Sequence, residues 1–120
     1  MKYICLGYVD PNKFASASEA EMHAMIDSCC AYDDELRANG HFKGGEGLQP
    51  SGAATTVQVR DGETITSDGP FAETREQLGG YYLLECRDLD EAIGWATRVP
   101  GVGAGAIEVR PVMNYAEVAS

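Results

Sequence analysis

The sequence has few basic residues and lacks any long apolar run. Nine Lys and Arg residues stand against 19 Asp and Glu, which gives a formal net charge of −10. Nucleic acids and anionic membranes attract basic faces, so this balance argues against direct binding to either. No stretch approaches the roughly 20 apolar residues of a membrane-spanning helix. Residues 1–10 also lack a signal-peptide cleavage site, and we expect a cytoplasmic protein.

Metal-ligating residues and phosphate-binding motifs are also scarce. The four cysteines form no C-x-x-C motif, and His23 and His41 do not cluster with cysteines at zinc-site spacing. Cys5 and Cys86 lie in apolar runs, where cysteine behaves as a small hydrophobic residue. The glycine-rich stretch 44–47 lacks the Lys-Ser/Thr of a phosphate loop. We predict reduced thiols, no metal and no cofactor.

The chain of 120 residues, 44% hydrophobic and 23% charged, predicts one domain over 1–120. Residue periodicity predicts strands at 2–9, 41–48, 55–60, 63–66, 81–87 and 106–110. A capping box at Ser18 opens a helix to about Ala38, and Asp88 caps a second helix. Asp61-Gly62 predicts a tight hairpin. We expect one or two helical turns over 72–78 and a plain C-terminal tail.

This order of elements predicts an α+β fold, the ferredoxin-like split βαβ sheet. Right-handed crossovers would place both helices on one face of the sheet. The opposite face of the last two strands mixes apolar and charged side chains: Tyr81, Leu83, Glu85, Arg87, Ala106, Glu108 and Arg110. Cover by a second subunit would explain this mixture and enclose a ligand cavity in a homodimer. A monomer with a partly apolar sheet face is the alternative.

Asp68 is the first candidate for chemistry. Before Gly69-Pro70 its carboxylate can accept backbone amides in a turn, or it can act as a base or acceptor at the mouth of a cavity. Arg75 beside Asp68 would recognise an anion. We predict a ligand site formed by Asp68, Phe71, Arg75 and Tyr81. A solvated turn with weak ion pairs is the alternative.

His23 is the second candidate catalytic residue. It lies four residues before Asp27, so both would share one helix face and could pair. A carboxylate often orients a catalytic histidine, but an ordinary surface pair has the same spacing.

The segment from Asp68 to Tyr81 resembles the DGPF branch of the YCII-related family. Further matches lie at 45–48, 55–62, 88–96 and 108–111, so the resemblance covers essentially the whole chain. It implies a bacterial protein with a dimeric α+β barrel. Members of this family are discussed as possible enzymes and are found with extracytoplasmic-function sigma factors. The YCII branch has a His on the first helix and an Asp before a Pro after the second. The matching places here fall near Ser28 and on Val99, so that acid–base pair does not carry over.

Two functions follow as hypotheses. The first is a homodimeric small-molecule-binding domain, and the residues leave open whether it is also an enzyme. The second is a regulatory interaction module that binds a sigma-factor-related protein. A pocket with converging polar groups would favour the first, and an exposed apolar patch would favour the second.

Overall fold

The computed structural model describes residues 1–13 and 15–119. The strands are β1 (Lys2–Val9), β2 (Phe42–Gly47), β3 (Thr55–Arg60), β4 (Glu63–Asp68), β5 (Gln77–Glu85) and β6 (Gly105–Pro111). The helices are α1 (Glu19–Ala38), α2 (Leu89–Ala96) and α3 (Tyr115–Ala119). None of the helices in these two ranges is long and apolar enough to cross a membrane.

Four strands form an antiparallel sheet in the order β2-β5-β1-β6. Tyr3 lies opposite Leu84 and Cys5 opposite Tyr82, so these side chains share one face. The predicted mixture of helices with an antiparallel sheet is therefore confirmed. Within residues 1–13 and 15–119, strands β3 and β4 pair only with each other, in a separate two-stranded ribbon.

Both long helices pack on the face of the sheet that carries Tyr3 and Leu84. The buried cluster joins side chains of β1 and β5 to those of α1 and α2: Tyr3, Cys5, Tyr32, Leu36, Leu84, Cys86, Ala92 and Ala96. Leu36 and Leu84 are fully buried. This apolar layer between sheet and helices is the core, because burial of apolar area is the main force favouring folding.

The predicted helix and hairpin signals are present. The Ser18 hydroxyl accepts the Glu21 amide, and the Glu21 carboxylate accepts the Ser18 amide. The Asp88 carboxylate accepts the Glu91 amide at the start of α2. Asp61 and Gly62 have φ of 51° and 80° between β3 and β4, as a tight hairpin of this type requires.

Two expectations about local structure are wrong. Residues 72–78 contain no helical turn; bends lead into β5, which starts at Gln77. There the Gln77 side-chain amide donates to the Thr74 carbonyl at 2.6 Å, and such local side-chain bonds compete with helix formation. The C-terminal tail instead contains α3, whose start is capped by Asn114 through the Ala116 amide at 3.0 Å.

Candidate functional site

The predicted site around Asp68 lies on an open surface. Asp68 is the exposed last residue of β4, and Phe71 is 75% exposed. The adjoining turn is held by other groups: the Gly69 amide donates to the Ala54 carbonyl, and the Thr56 hydroxyl donates to the Gly69 carbonyl. Neither cavity described below is lined by Asp68 or Phe71.

Arg75 makes its ion pair with Asp10 instead of Asp68. Its Nε lies 3.2 Å from Asp10 Oδ2, and the Asp10 side chain is buried at the end of β1. The Asn12 amide also donates to this carboxylate at 3.0 Å. The hydrogen bond from the Asn12 amide, and after it the one from Arg75, hold the pKa of Asp10 below its ordinary value. The guanidinium that we predicted to recognise an anion thus neutralises a carboxylate of the same chain.

His23 and Asp27 are both exposed on α1. Neither residue lines either cavity. Of the four predicted ligand-binding residues, Tyr81 lines a cavity between the helices and the sheet. Tyr81 lies opposite Leu6, however, so its side chain belongs to the face without helices.

That cavity is a cleft of about 280 Å³ between α1, the sheet and the loop after α2. Its floor includes Gly7 and Gly80, which lie opposite each other on β1 and β5. Cys29 and Asp33 of α1 form one wall, and Val99 lies on the α2 side. The cleft exists because adjacent strands carry no side chain where the helix passes over them.

Two glycines of the cleft have different roles. A Cβ on Gly45 would lie 2.7 Å from a ring carbon of Tyr82, so only glycine lets β2 approach this ring. A Cβ on Gly7 would be 3.6 Å from the Gly80 carbonyl oxygen, an ordinary contact. Gly45 therefore allows the Tyr82 ring to pack against β2, whereas Gly7 leaves free volume in the floor of the cleft.

The polar centre of the cleft is the pair Asp33 and Tyr82. The Tyr82 hydroxyl donates to Asp33 Oδ1 at 2.6 Å. The Tyr82 ring also packs edge-on against Tyr32, with centroids 5.3 Å apart. Burial, followed by the bond to Asp33, raises the pKa of Tyr82. Tyr82 thus stays a neutral donor that fixes the Asp33 carboxylate, which retains further acceptor positions.

Cys29 contributes a neutral thiol to the same wall. Burial raises the pKa of Cys29, and the nearby charges of Asp33 and Cys30 raise it further. Because the thiolate is the nucleophilic form of cysteine, this environment disfavours covalent chemistry at Cys29. The cleft therefore offers a carboxylate acceptor and soft apolar contacts.

A second cavity of about 500 Å³ lies beside the start of β1 and helix α3. Its lining includes Met1, Glu85, Met113 and Tyr115. The N-terminal ammonium lies 3.2 Å from Glu85 Oε1, so these two charges at its edge are paired with each other.

Comparison with known proteins places this chain in a family. The model of the YCII-related domain matches residues 1–116. The chain belongs to the YCII-related family. Uncharacterized protein R00369 of Rhizobium meliloti (strain 1021) is 37% identical over 117 residues, covering 96% of this chain and 94% of that protein.

A solved structure shares the fold of this YCII-related chain. It is 5-chloro-2-hydroxyhydroquinone dehydrochlorinase (TftG) from Burkholderia phenoliruptrix AC1100, in complex with 2,5-dihydroxybenzoquinone. The TM-score is 0.56 at 14% identity, with 95% of each chain covered. At this identity the likeness establishes the fold and not the chemistry.

Sequence reasoning missed Cys29 and Asp33 as cleft residues. A signal was present: Asp33 falls on the otherwise mostly apolar stripe of α1 that also carries Cys29, Tyr32 and Leu36. A charged residue on a core-facing stripe needs a partner, which here is Tyr82. The family resemblance gave a second signal, because the positions that match the acid–base pair of the YCII branch fall near Ser28 and on Val99. Val99 and Cys29, the residue after Ser28, both line the cleft.

Proposed function

We propose that this YCII-related protein binds a small organic molecule in the cleft between α1 and the sheet. The observation that carries the proposal is the Asp33–Tyr82 pair, fixed by a 2.6 Å hydrogen bond above a glycine floor. Ligand pockets combine apolar walls with a few well-placed polar groups that orient the ligand. This cleft has that composition, with Val99 and Cys29 beside the Asp33 carboxylate.

The charges around the cleft define the class of ligand. Asp33 and Glu46 both line it, and the whole chain carries a formal charge of −10. Such a field disfavours anions. We expect a neutral molecule that is flat enough to lie on the glycine floor and carries a hydroxyl group for Asp33. A hydroxylated ring fits this description, and a small ring compound is bound by the structural neighbour of this chain.

An enzymatic form of this proposal would use Asp33 as the proton acceptor. A carboxylate within hydrogen-bond reach of a ligand hydroxyl can act as a general base. The Tyr82 hydroxyl would keep its single proton in the hydrogen bond to Asp33 Oδ1 and so hold the carboxylate in place. Val99 and the Ser28 region provide no acid–base pair, so proton transfer would rest on Asp33.

The opposite face of the sheet supports the proposed homodimer. Ile4 lies opposite Leu83 and Leu6 opposite Tyr81, on the side without helices. All four are only partly exposed in the single chain, and they form a continuous apolar strip. A second copy covering this strip would give the ferredoxin-like dimeric barrel that the sequence predicts. Leu83→Glu should convert the dimer to monomer, measured by sedimentation equilibrium; a monomeric parent protein would contradict the dimer.

The binding proposal is tested with neutral hydroxylated rings. Chemical shifts of ¹⁵N-labelled protein should move at the cleft on titration with resorcinol, and benzoate should bind more weakly. Asp33→Asn and Gly7→Val should each weaken resorcinol binding at least about tenfold, because one removes the acceptor charge and the other fills the floor.

Matched variants complete the test. Asp34→Asn changes an exposed neighbour of Asp33, and Gly52→Ala adds a methyl group in open space. Both should bind resorcinol as the parent does. Equal binding by Gly7→Val and the parent would overturn the assignment of the cleft.

A regulatory interaction module is the second proposed function, favoured by one observation. Val57 and Val59 share one face of the β3–β4 ribbon and are 60% and 68% exposed. Exposed apolar clusters mark protein-binding surfaces. A sigma-factor-related partner docking there would lose affinity in Val59→Asp and keep it in Gly7→Val. Loss of affinity in Gly7→Val with unchanged affinity in Val59→Asp would exclude this ribbon as the partner site.

A further inference from the structure

Three metal-ligating side chains from separate parts of the chain meet at the N-terminal end of α2. His41 precedes β2, Cys86 follows β5 and Glu91 lies in the first turn of α2. One donor atom from each residue lies within 4.8 Å of the other two. We propose that His41, Cys86 and Glu91 form a binding site for one divalent transition-metal ion of the Zn²⁺ class.

The three ligands are held in place by packing. Cys86 is 3% exposed, and the side chains of His41 and Glu91 are 18% and 21% exposed. The His41 ring packs against Trp95, with ring centroids 5.1 Å apart. Loose surface clusters would lose side-chain freedom on binding a metal, whereas these side chains have already lost most of theirs.

Neighbouring groups orient the ligands as outer-shell partners do in metal sites. The Arg87 amide donates to Glu91 Oε1 at 2.9 Å, and His41 Nδ1 lies 2.8 Å from the Glu85 carbonyl oxygen. A ring nitrogen that donates to a carbonyl fixes the imidazole and leaves the other nitrogen free to ligate. His41 Nδ1 is also 3.8 Å from Glu91 Oε1, so the imidazole and the Glu91 carboxylate lie side by side.

The mixed donor set selects the metal. Mg²⁺ and Ca²⁺ prefer oxygen ligands alone, whereas Zn²⁺ accepts thiolate, imidazole and carboxylate in tetrahedral geometry. Binding would exchange the Cys86 thiol proton for the ion and release the proton to solvent. Three protein ligands leave a fourth position for water, as in zinc sites with exchangeable ligands.

This metal site is independent of the proposed ligand cleft. None of its three residues lines the cleft. The rings of Trp95 and Tyr32, whose centroids are 6.2 Å apart, lie between His41 and Tyr82. Loss of metal binding and loss of resorcinol binding can therefore be measured separately.

The test is a titration of reduced, tag-free protein with Co²⁺, followed by displacement with Zn²⁺. We expect one Co²⁺ per chain, with the near-ultraviolet thiolate charge-transfer band and the visible bands of tetrahedral cobalt. Cys86→Ser, His41→Gln and Glu91→Gln should each lower Co²⁺ affinity at least about tenfold, since even outer-shell changes commonly cost that much. Circular dichroism verifies that each variant is folded.

The chain supplies a control for each ligand type. Cys30→Ser, His23→Gln and Asp90→Asn change exposed residues of α1 and α2 and should retain the cobalt spectrum. Because Cys86 is buried, Glu91→Gln, which preserves the shape and the Arg87 hydrogen bond, is the decisive variant. Absence of a thiolate band in the parent protein would overturn the proposal. So would unchanged affinity in the folded Glu91→Gln protein, or loss of affinity in the Cys30 and His23 controls.

Discussion

The four-stranded sheet buries Leu84 completely, whereas every residue of β4 in the ribbon is exposed. The sheet is covered by α1 and α2 on one face, while β3 and β4 pair only with each other. An isolated two-stranded ribbon is at best marginally stable in water. The sheet is thus maintained by long-range packing, and the ribbon by its turn and by cross-strand pairs such as Val59 with Thr64.

The difference explains which parts could be predicted from the sequence. The Asp61-Gly62 turn and the Ser18 capping box depend on neighbouring residues, and both were predicted. The Arg75–Asp10 ion pair joins residues 65 positions apart, so no local pattern reveals it. The cleft likewise requires Gly7 and Gly80 to lie opposite each other, which only the strand register determines.

The same reason applies to the proposed metal site. His41, Cys86 and Glu91 have no familiar spacing along the chain, because the site depends on how β5 and α2 pack beside the start of β2. The sequence led us to expect no metal, since motif spacing detects only ligands that are close in sequence. The predicted roles of Asp68, Phe71, Arg75 and Tyr81 in ligand binding stay predictions.

The largest loss of unfolding free energy should come from a substitution in the core between the sheet and the helices. Leu84→Ala should lower the free energy of unfolding by about 2–5 kcal/mol, because it leaves a cavity between the sheet and both helices. Urea denaturation followed by circular dichroism measures this change. Leu48→Ala is the matched control at an exposed leucine, and it should have a much smaller effect. A loss below about 1 kcal/mol in Leu84→Ala would contradict the described core.

Alkaline pH should weaken the helix–sheet layer next. The pKa values of Tyr32 and Tyr82 are raised mainly by burial, and that of Cys5 is raised to about 11. Because their pKa values are higher in the folded chain, these groups ionise at lower pH in the unfolded chain, near pH 10 for tyrosine. The stability that they contribute is present below that pH and is lost as the pH rises above it. Urea denaturation at a series of pH values measures the slope.

Tyr82→Phe should reduce this alkaline loss, because it removes one of the groups that ionise on unfolding. Tyr115→Phe, at a side chain 78% exposed, is the control and should leave the slope unchanged. An equal slope in the parent and Tyr82→Phe proteins would show that Tyr82 ionises normally in the folded state.

Acid should weaken the attachment of the segment between β4 and β5, because Arg75 of this segment pairs with Asp10. The pKa of Asp10 is lowered first by the Asn12 amide and then by Arg75. The resulting stabilisation is present above the unfolded value near 3.9 and is lost as pH falls through the lower folded value. Arg75→Gln should therefore move the midpoint of acid unfolding to higher pH, measured by fluorescence of Trp95. Arg60→Gln in the ribbon should not move it; an identical midpoint in both variants would remove Arg75 from this role.

The smallest effect should be in the ribbon itself. Val59 is 68% exposed, and Val59→Thr keeps the β-branched shape that strands favour. We expect a change in unfolding free energy below about 0.5 kcal/mol in dilute protein. A larger loss that grows with protein concentration would show that a second copy covers the ribbon.

The hydrogen bond between the Leu48 amide and the Gly79 carbonyl, at 2.9 Å, brings the end of β2 beside the start of β5. The polypeptide leaves the sheet and re-enters it at adjacent points, so residues 49–76 lie outside the sheet between two neighbouring strand ends. Joining Leu48 to Gln77 through a short turn would preserve the strand order β2-β5-β1-β6. Residues 49–76 are therefore the part of the chain in which a change of length would disturb the sheet least.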